Sequence, residues 1–513
     1  MRYPIGIQEF EKIRNGGYVY VDKTALIYKM ISEGEYYFLS RPRRFGKSLL
    51  VSTMEAYFQG RKELFSGLAI EKLAEDWTES PVFRLDMSGK TYLTVDDLND
   101  TLDKNLKKWE EKYGVEKGYS QPDLRFQDII ETVAEKTGRQ AVVLIDEYDK
   151  PMLDALRNQE LGESVRRILQ GFYSVIKKEG RYIRFGFLTG VTKLGRLSVF
   201  SGLNNLNDIS LDSRYADICG VSEDDLHEYF GDSVKELAAA CRLAEDECYA
   251  RLKKWYDGYH FSEDSPGIYN PFSLLNTLQK KKFHEYWFET GTPTFLVEIM
   301  KRTSFDVSTL EHQDVDSTLM STVDAIYENP VPLLFQTGYL TISGYNADYF
   351  IYHLTFPNLE VKRGFLNYLL KYYTTLNDVS GSNVVFSLSS ALQQGRPEDF
   401  MSVLSSLFAG TPYQIQGNAE KDFQYAIYII MELLGIYIDA ERQTSNGRID
   451  LLIRTDRFIY VIELKVDSSA EEALRQIGEK GYVKPFASDS RRLYRIGVNF
   501  STSTRRIEEW KIE

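Results

Sequence analysis

Arg448-Ile449-Asp450-Leu451-Leu452-Ile453-Arg454-Thr455-Asp456-Arg457-Phe458-Ile459-Tyr460-Val461-Ile462-Glu463-Leu464-Lys465 is the stretch on which the reading of this chain turns. Two runs rich in β-branched and aromatic residues flank the polar break Asp456-Arg457, the pattern of a hairpin. Asp-Arg is not a favoured pair for a tight two-residue turn, so a longer loop stays open. With those two residues as the turn, Asp450 faces Glu463 across the strands, Cβ atoms about 5 Å apart. Lys465, two residues further on, points to the same face. Like charges placed so repel unless a cation lies between them. On the other face Ile449, Leu451, Ile453, Tyr460, Ile462 and Leu464 form an apolar stripe, which leaves the charges on the polar face of an oily hairpin. Asp450 and Glu463 are therefore candidate Mg2+ ligands, with Mn2+ as a substitute and the Leu464 carbonyl as a further contact. A metal held there lowers the pKa of bound water and neutralises a scissile phosphate. Lys465 is the candidate catalytic group that orients or deprotonates the attacking water. The plain alternative is an exposed hairpin with ordinary alternating charges.

The flanking segments favour the first reading. A helical run over 421–434 precedes the hairpin, with Glu420 at its start as a candidate third metal contact or a helix-start acid favoured by the dipole. Glu441 is a weaker candidate. A second helical run over 470–482 follows, carrying Gln476, a candidate catalytic residue if it faces the site, and Lys480. A strand over 493–498 closes the unit. The expected order is αβββαβ, with the third of the central strands optional.

The front of the chain reads differently. Tyr36–Ser40 is a short strand, Ser40-Arg41-Pro42-Arg43-Arg44-Phe45-Gly46-Lys47-Ser48 a basic turn, and 49–58 a helix. Strand, loop and helix in that order make a phosphate-binding loop, in which backbone N–H groups and the helix dipole hold an anion. The candidate nucleotide contacts are Arg43, Arg44, Phe45, Gly46, Lys47 and Ser48. Lys47 would reach the terminal phosphates and Ser48 would ligate Mg2+. Arg41 stands where GxxxxGK[ST] has its first glycine, so a basic loop capping a helix is the competing reading. Ala141–Asp146, an unbroken apolar run ending in Asp146-Glu147, supplies the second half of the pattern. Asp146 would hold Mg2+ through water, and Glu147 is the candidate catalytic group that polarises a water for hydrolysis. Strands over 82–87 and 182–191, with helices between, complete a parallel α/β sheet. Thr189 or Thr192 at the end of the last strand is placed to sense a γ-phosphate, with Thr192 the expected cofactor contact. Arg196 and Arg214 are the arginine-finger candidates.

The 513 residues divide into four expected parts. These are a nucleotide-binding domain over 1–211, a helical lid over 212–300, a mostly helical region over 301–410 and the metal-site domain over 411–513. Short strands are expected within 331–342 and 349–355. Hydrophobic content of 43% and charged content of 27% are those of a globular protein, not of a disordered or fibrous one. No apolar run approaches a membrane span, and the start lacks the pattern of a secretory signal. Cys219, Cys241 and Cys248 lack metal or disulfide spacing, so a cytoplasmic location is expected. The net charge of −13 argues against a protein that coats nucleic acid. From residue 411 onward 15 Lys/Arg meet 16 Asp/Glu, so the acidic excess lies upstream.

The chain resembles a bacterial family that joins an AAA-ATPase-like N-terminal domain to a C-terminal domain of the PD-(D/E)xK nuclease superfamily. The resemblance is carried by 20–24, 41–48, 144–151, 189–193, 201–205, 256–259, 269–271, 356–358, 447–450 and 463–465, with Gln476 and 480–482. It implies a P-loop sheet followed by a helical region and a restriction-endonuclease-like fold. It implies ATP and Mg2+ at Lys47, Ser48 and Asp146, and nuclease-type residues at Asp450, Glu463 and Lys465. The missing first glycine is then a family trait. Tyr256-Asp257-Gly258-Tyr259 and Tyr269-Asn270-Pro271 read best as structural turns. The function expected is an ATP-binding, ATP-hydrolysing protein with a metal-dependent nuclease domain. Nucleic acid is the expected partner, DNA ahead of RNA. The alternatives are an NTP-switch ATPase whose nuclease-like domain only binds, and a nuclease indifferent to nucleotide.

Overall fold

A computed structural model describes residues 1–156, 158–193, 206–290, 294–320, 329–374, 381–409, 419–445 and 448–513; at 290, 441–445 and 448–450 it describes the backbone alone. The chain forms two compact units, 1–305 with 311–361 and 306–310 with 362–513.

The first unit is built on a parallel sheet of β1 (Tyr36–Ser40), β2 (Val82–Asp86), β3 (Ala141–Asp146), β4 (Ile183–Gly190) and β5 (Asn207–Asp208), in the order β2-β3-β4-β1-β5. Helices cover its strands, so β1 and β3 are buried at every position, and their sequences are accordingly apolar without alternation. β4 lies between β1 and β3, which puts the end of Thr189-Gly190 between the phosphate loop and the acidic strand. The connecting helices carry their own end signals. Val95–Tyr113 opens with a capping box of Thr94 and Asp97, worth about 1 kcal/mol, and Pro122–Thr137 opens with proline in its first turn.

After the sheet come Glu223–Cys241, Glu245–Tyr256 and Pro271–Lys280, packed around Leu226, Phe230, Leu252, Tyr256 and Leu274. Beyond them the expectation of strands in 331–342 is half corrected. Val331–Gln336 is a helix, begun by Pro332 and capped by Asn329, and only the following β7 (Thr341–Asn346) is a strand. β7 pairs with β8 (Ile351–Thr355), and β8 with β6 (Gln313–Asp316), in an antiparallel sheet. Buried apolar runs of this length do not distinguish helix from strand by periodicity.

The second unit holds a mixed sheet of β9 (Asp439–Ser445), β10 (Arg448–Arg454), β11 (Phe458–Val466), β12 (Arg492–Ser501) and β13 (Arg506–Ile512), in the order β13-β12-β11-β10-β9. The hairpin has the expected register, Asp450 opposite Glu463, with Thr455 N bonded to Phe458 O around the two-residue turn. β11 and β12 run parallel and β13 adds an antiparallel edge that the sequence reading did not include. Ala419–Gly435 and Ala470–Glu479 are the flanking helices, the second ending before Lys480.

Candidate functional site: a phosphate loop and a buried acidic hairpin

The phosphate loop leaves β1 at Ser40 and enters the helix Lys47–Phe58 through Gly46, whose φ of 95° and open Cβ direction suit a glycine held against a ligand. Arg44 is also left-handed, φ 69°. Arg41, at the missing first glycine, turns away from the loop's mouth. Its buried guanidinium donates to the carbonyls of Ser40 (2.9 Å), Ser210 (2.8 Å), Tyr215 (3.1 Å) and Ala216 (3.4 Å) and lies 3.9 Å from the Phe261 ring centroid. Burial lowers its pKa to about 10. Arg41 therefore anchors the loop, a role the sequence reading missed.

Lys47 Nζ donates to the loop's own carbonyls, Arg41 O at 2.9 Å and Pro42 O at 3.0 Å. Burial pulls its pKa down, and Glu147, Asp146 and Asp149 act against that. The surrounding cavity, about 480 Å3, is walled by Arg43, Arg44, Gly46, Lys47, Ser48 and Glu147, together with Asp149 and Lys150. Phe45 is not in that wall: it is buried against Tyr259 and Phe261, leaving its backbone N–H as the group relevant to a phosphate. Nor are Asp146 and Thr192. Asp146 is buried and accepts from Thr189 Oγ1 at 2.6 Å. Thr192, fully buried, gives both its N–H (2.6 Å) and its hydroxyl (2.7 Å) to Asp149. Glu147 has φ 52°, and burial raises its pKa against the opposing pull of Lys47. Asp149, which sequence reasoning overlooked, is thus the acid that fixes the end of β4 beside Lys47. Its signal was the third acid of Asp146-Glu147-Tyr148-Asp149. Arg214 is held by Asp212 at 2.6 Å and is absent from the cavity wall, and Arg196 lies outside the described residues. Lys47, the Gly46 turn, the helix start and the cavity size suit a nucleoside triphosphate.

The motifs after the sheet tie the unit together. Lys23 pairs with Asp225 at 2.6 Å, Asn270 caps the helix Pro271–Lys280, and Asn358 Nδ2 donates to Asp257 O at 2.9 Å. These contacts tie turns and helix starts together within the first unit; 201–205 lie outside the described residues.

In the second unit the face of the hairpin that carries Glu463 is not a solvated polar face. It is covered by the helix Ala470–Glu479 through Val461, Leu474 and Ile477. Gly497, the register partner of Glu463, permits this, because a Cβ there would lie 2.2 Å from Ala470 O and 2.9 Å from Leu474 N. Glu463 is 0% exposed, and neither carboxylate oxygen has a hydrogen-bond partner among the described residues. Lys465 Nζ lies 3.7 Å from its Oε1 and donates to Gln476 Oε1. Gln476 Nε2 is buried without a described partner. A buried carboxylate so placed, with Asp450 across from it in register, suits a divalent cation. Among the described residues no three His, Cys, Asp or Glu side chains converge, and the Asp450 carboxylate lies outside them.

Glu420 sits in the first turn of Ala419–Gly435 and accepts from Gln424 at 3.2 Å. One turn later Phe423 stacks on Phe500, ring centroids 4.0 Å apart, and Phe500 pairs with Val466. The start of this helix therefore lies beside the carboxyl end of β11. Glu441 pairs with Leu452 on β10, two positions from Asp450.

Comparison with known proteins agrees with both halves. Residues 4–200 match the family described as predicted AAA-ATPase, and residues 418–510 match the PD-(D/E)XK nuclease superfamily. A relative from Azotobacter chroococcum mcd 1, described as an uncharacterized protein in the vnfD 5' region, is 36% identical over 523 residues, covering 100% of this chain and 99% of the relative. The chain belongs to the family that joins an AAA-ATPase-like domain to a C-terminal PD-(D/E)XK nuclease-superfamily domain.

Proposed function

We propose that this protein is a Mg2+-dependent nuclease, acting on DNA in the cytoplasm, whose activity is set by ATP binding and hydrolysis in the N-terminal domain. The observation that carries the nuclease reading is the fully buried Glu463 carboxylate, without a hydrogen-bond partner among the described residues, with Lys465 beside it and Asp450 opposite in register.

In this reading Asp450 and Glu463 hold the cation, and Glu420 supplies a further contact. Bound there, the metal supplies an activated water and charge neutralisation at the scissile phosphate. Lys465 is a buried ammonium at the same face, placed to orient the incoming water and to steady negative charge on phosphorus. Gln476 acts through Lys465 as a positioning residue, holding Nζ by a hydrogen bond from the covering helix. Exclusion of bulk water by Ala470–Glu479 strengthens each of these charges. In the front domain Arg43, Arg44, the 45–48 backbone and Lys47 hold the phosphates. Ser48 and Asp146 serve its cation, Glu147 orients water, and the Thr192–Asp149 pair senses the terminal phosphate through the end of β4.

In this reading, control starts at the contacts of the phosphate loop with Trp287. Trp287 Nε1 donates to Arg43 O at 3.1 Å, and its N–H donates to Glu360 at 2.8 Å. Glu360 also accepts from Ser273 at 3.0 Å. It stands in the first turn of Leu359–Tyr373, the helix within which the chain passes from the first unit to the second. We divide the chain functionally into 1–211, 212–300, 301–410 and 411–513.

The experiment is a cleavage panel of plasmid, single-stranded DNA and RNA with Mg2+ or Mn2+, with and without ATP, for the native protein and Lys47→Ala. Cleavage of DNA that responds to ATP only in the native protein supports the proposal. Cleavage indifferent to ATP in both leaves the nuclease and removes the control.

A further inference from the structure

Val191, Thr192 and Lys193 follow β4 and offer three consecutive backbone N–H groups, each taken by a buried side chain. Asp149 accepts from Val191 at 3.2 Å and from Thr192 at 2.6 Å. The third N–H, that of Lys193, donates to Gln336 Oε1 at 2.7 Å, across 143 residues of chain. Gln336 is 4% exposed, and its Nε2 donates to Met320 O at 3.0 Å. One partner is a backbone donor and the other a backbone acceptor, so only one orientation of the amide satisfies both. Two residues on, Gly338 has φ 88°, and a Cβ there would lie 2.7 Å from Pro42 Cβ and 2.8 Å from its Cγ. The end of the helix Val331–Gln336 therefore reaches the phosphate loop as well as the end of β4.

These contacts stand behind two charges of the cavity wall. Pro42 O is one of the two carbonyls that hold Lys47 Nζ, at 3.0 Å. Asp149 shares the wall with Lys47 and is held by Thr192, the neighbour of Lys193. A triphosphate that draws Lys47 off Pro42 O moves the positive charge beside Asp149. Asp149 can answer only as far as the 191–193 backbone lets it. Gln336 limits that freedom at residue 193, because a buried N–H that leaves its acceptor loses the bond outright. We infer that Gln336 is a positioning residue of the nucleotide site: by holding residue 193 it fixes the Thr192–Asp149 pair against Lys47, and so sets how strongly a terminal phosphate is told from its absence. The inference rests on the nucleotide reading above and goes beyond it by assigning a residue from outside 1–211.

Isothermal titration of the full chain with ADP and with a non-hydrolysable ATP analogue, each with Mg2+, tests it beside thermal melting. The proteins are the native chain, Gln336→Met, which keeps the length of the side chain but neither bond, and Gln336→Glu, which keeps an acceptor for Lys193. The native chain should bind the analogue more tightly than ADP. Gln336→Met should lose about tenfold of that preference, the scale of one buried hydrogen bond, with its ADP affinity within about twofold of native. Gln336→Glu should keep the preference. The ratio of affinities is read on folded protein alone, so partial unfolding of a variant does not imitate the effect. A role confined to packing lowers the melting temperature of Gln336→Met and leaves the ratio unchanged, and that result overturns the inference. So does an equal loss of preference in both variants, or a native chain that binds the two nucleotides alike. A native chain that binds neither overturns the nucleotide reading itself.

Discussion

Replacing Glu463 with Gln should stabilise the metal-free protein and abolish its stabilisation by metal. The carboxylate is 0% exposed and has no hydrogen-bond partner among the described residues. At an effective dielectric of about 20, Lys465 at 3.7 Å returns about 4–5 kcal/mol. Burial of an ion costs several kcal/mol, and a second acid in register, Asp450, adds repulsion, so the pair with Lys465 does not offset the cost. Without metal, Glu463→Gln should therefore gain about 1–3 kcal/mol, a rise of several degrees in melting temperature. With Mn2+ at 100 times its dissociation constant the native chain gains about 2.7 kcal/mol, and the variant gains little. The two melting curves should exchange order as metal is added. Scanning calorimetry with EDTA and with Mn2+ measures this. A variant that is destabilised without metal, or that responds to Mn2+ as the native chain does, refutes the reasoning.

Gly497→Ala should cost about 1–3 kcal/mol, because the new methyl group meets helix backbone at 2.2 Å and the helix must move off β12. Thermal melting reads the loss, and an unchanged melting temperature would contradict the close approach. Arg41→Gly, which restores the usual loop pattern, should lower stability by several kcal/mol rather than improve nucleotide affinity, since it strips four carbonyls of a buried donor. Urea unfolding with an ATP titration separates the two effects. Glu360 is raised to about 8 by burial, above its ordinary value of 4.5. Between those two values the unfolded chain has released a proton that the folded chain keeps. Stability should therefore be full below pH about 4.5, fall by at most about 1.4 kcal/mol per pH unit as pH rises, and level off above about 8. Glu360→Gln should flatten that slope in pH-dependent denaturation.

Much of both sites was legible because their signals are local. The hairpin register follows from a period of two and a two-residue break, and it placed Asp450 against Glu463 without tertiary information. The strand–loop–helix around Gly46-Lys47-Ser48 and the acid-terminated Ala141–Asp146 are equally local. What sequence could not supply was the consequence of distant contacts. Arg41 reads as a defect in a motif, and only the carbonyls of Ser210, Tyr215 and Ala216, far along the chain, make it an anchor. Glu463 reads as lying on a polar face because Glu463 and Lys465 alternate with Ile462 and Leu464, and its burial depends on Gly497 admitting a helix. Thr192 was read as facing a phosphate, whereas its hydroxyl goes to Asp149, an acid that looked redundant beside Asp146-Glu147.

The measurement that tests the central claim most directly is plasmid cleavage in Mg2+ by the native chain and by Asp450→Ala of matched melting temperature. The account predicts metal-dependent cleavage by the native chain and a loss of about a hundred- to a thousandfold in the variant, the scale of removing a group that a charged transition state depends on. Cleavage at equal rates by the two proteins would contradict it.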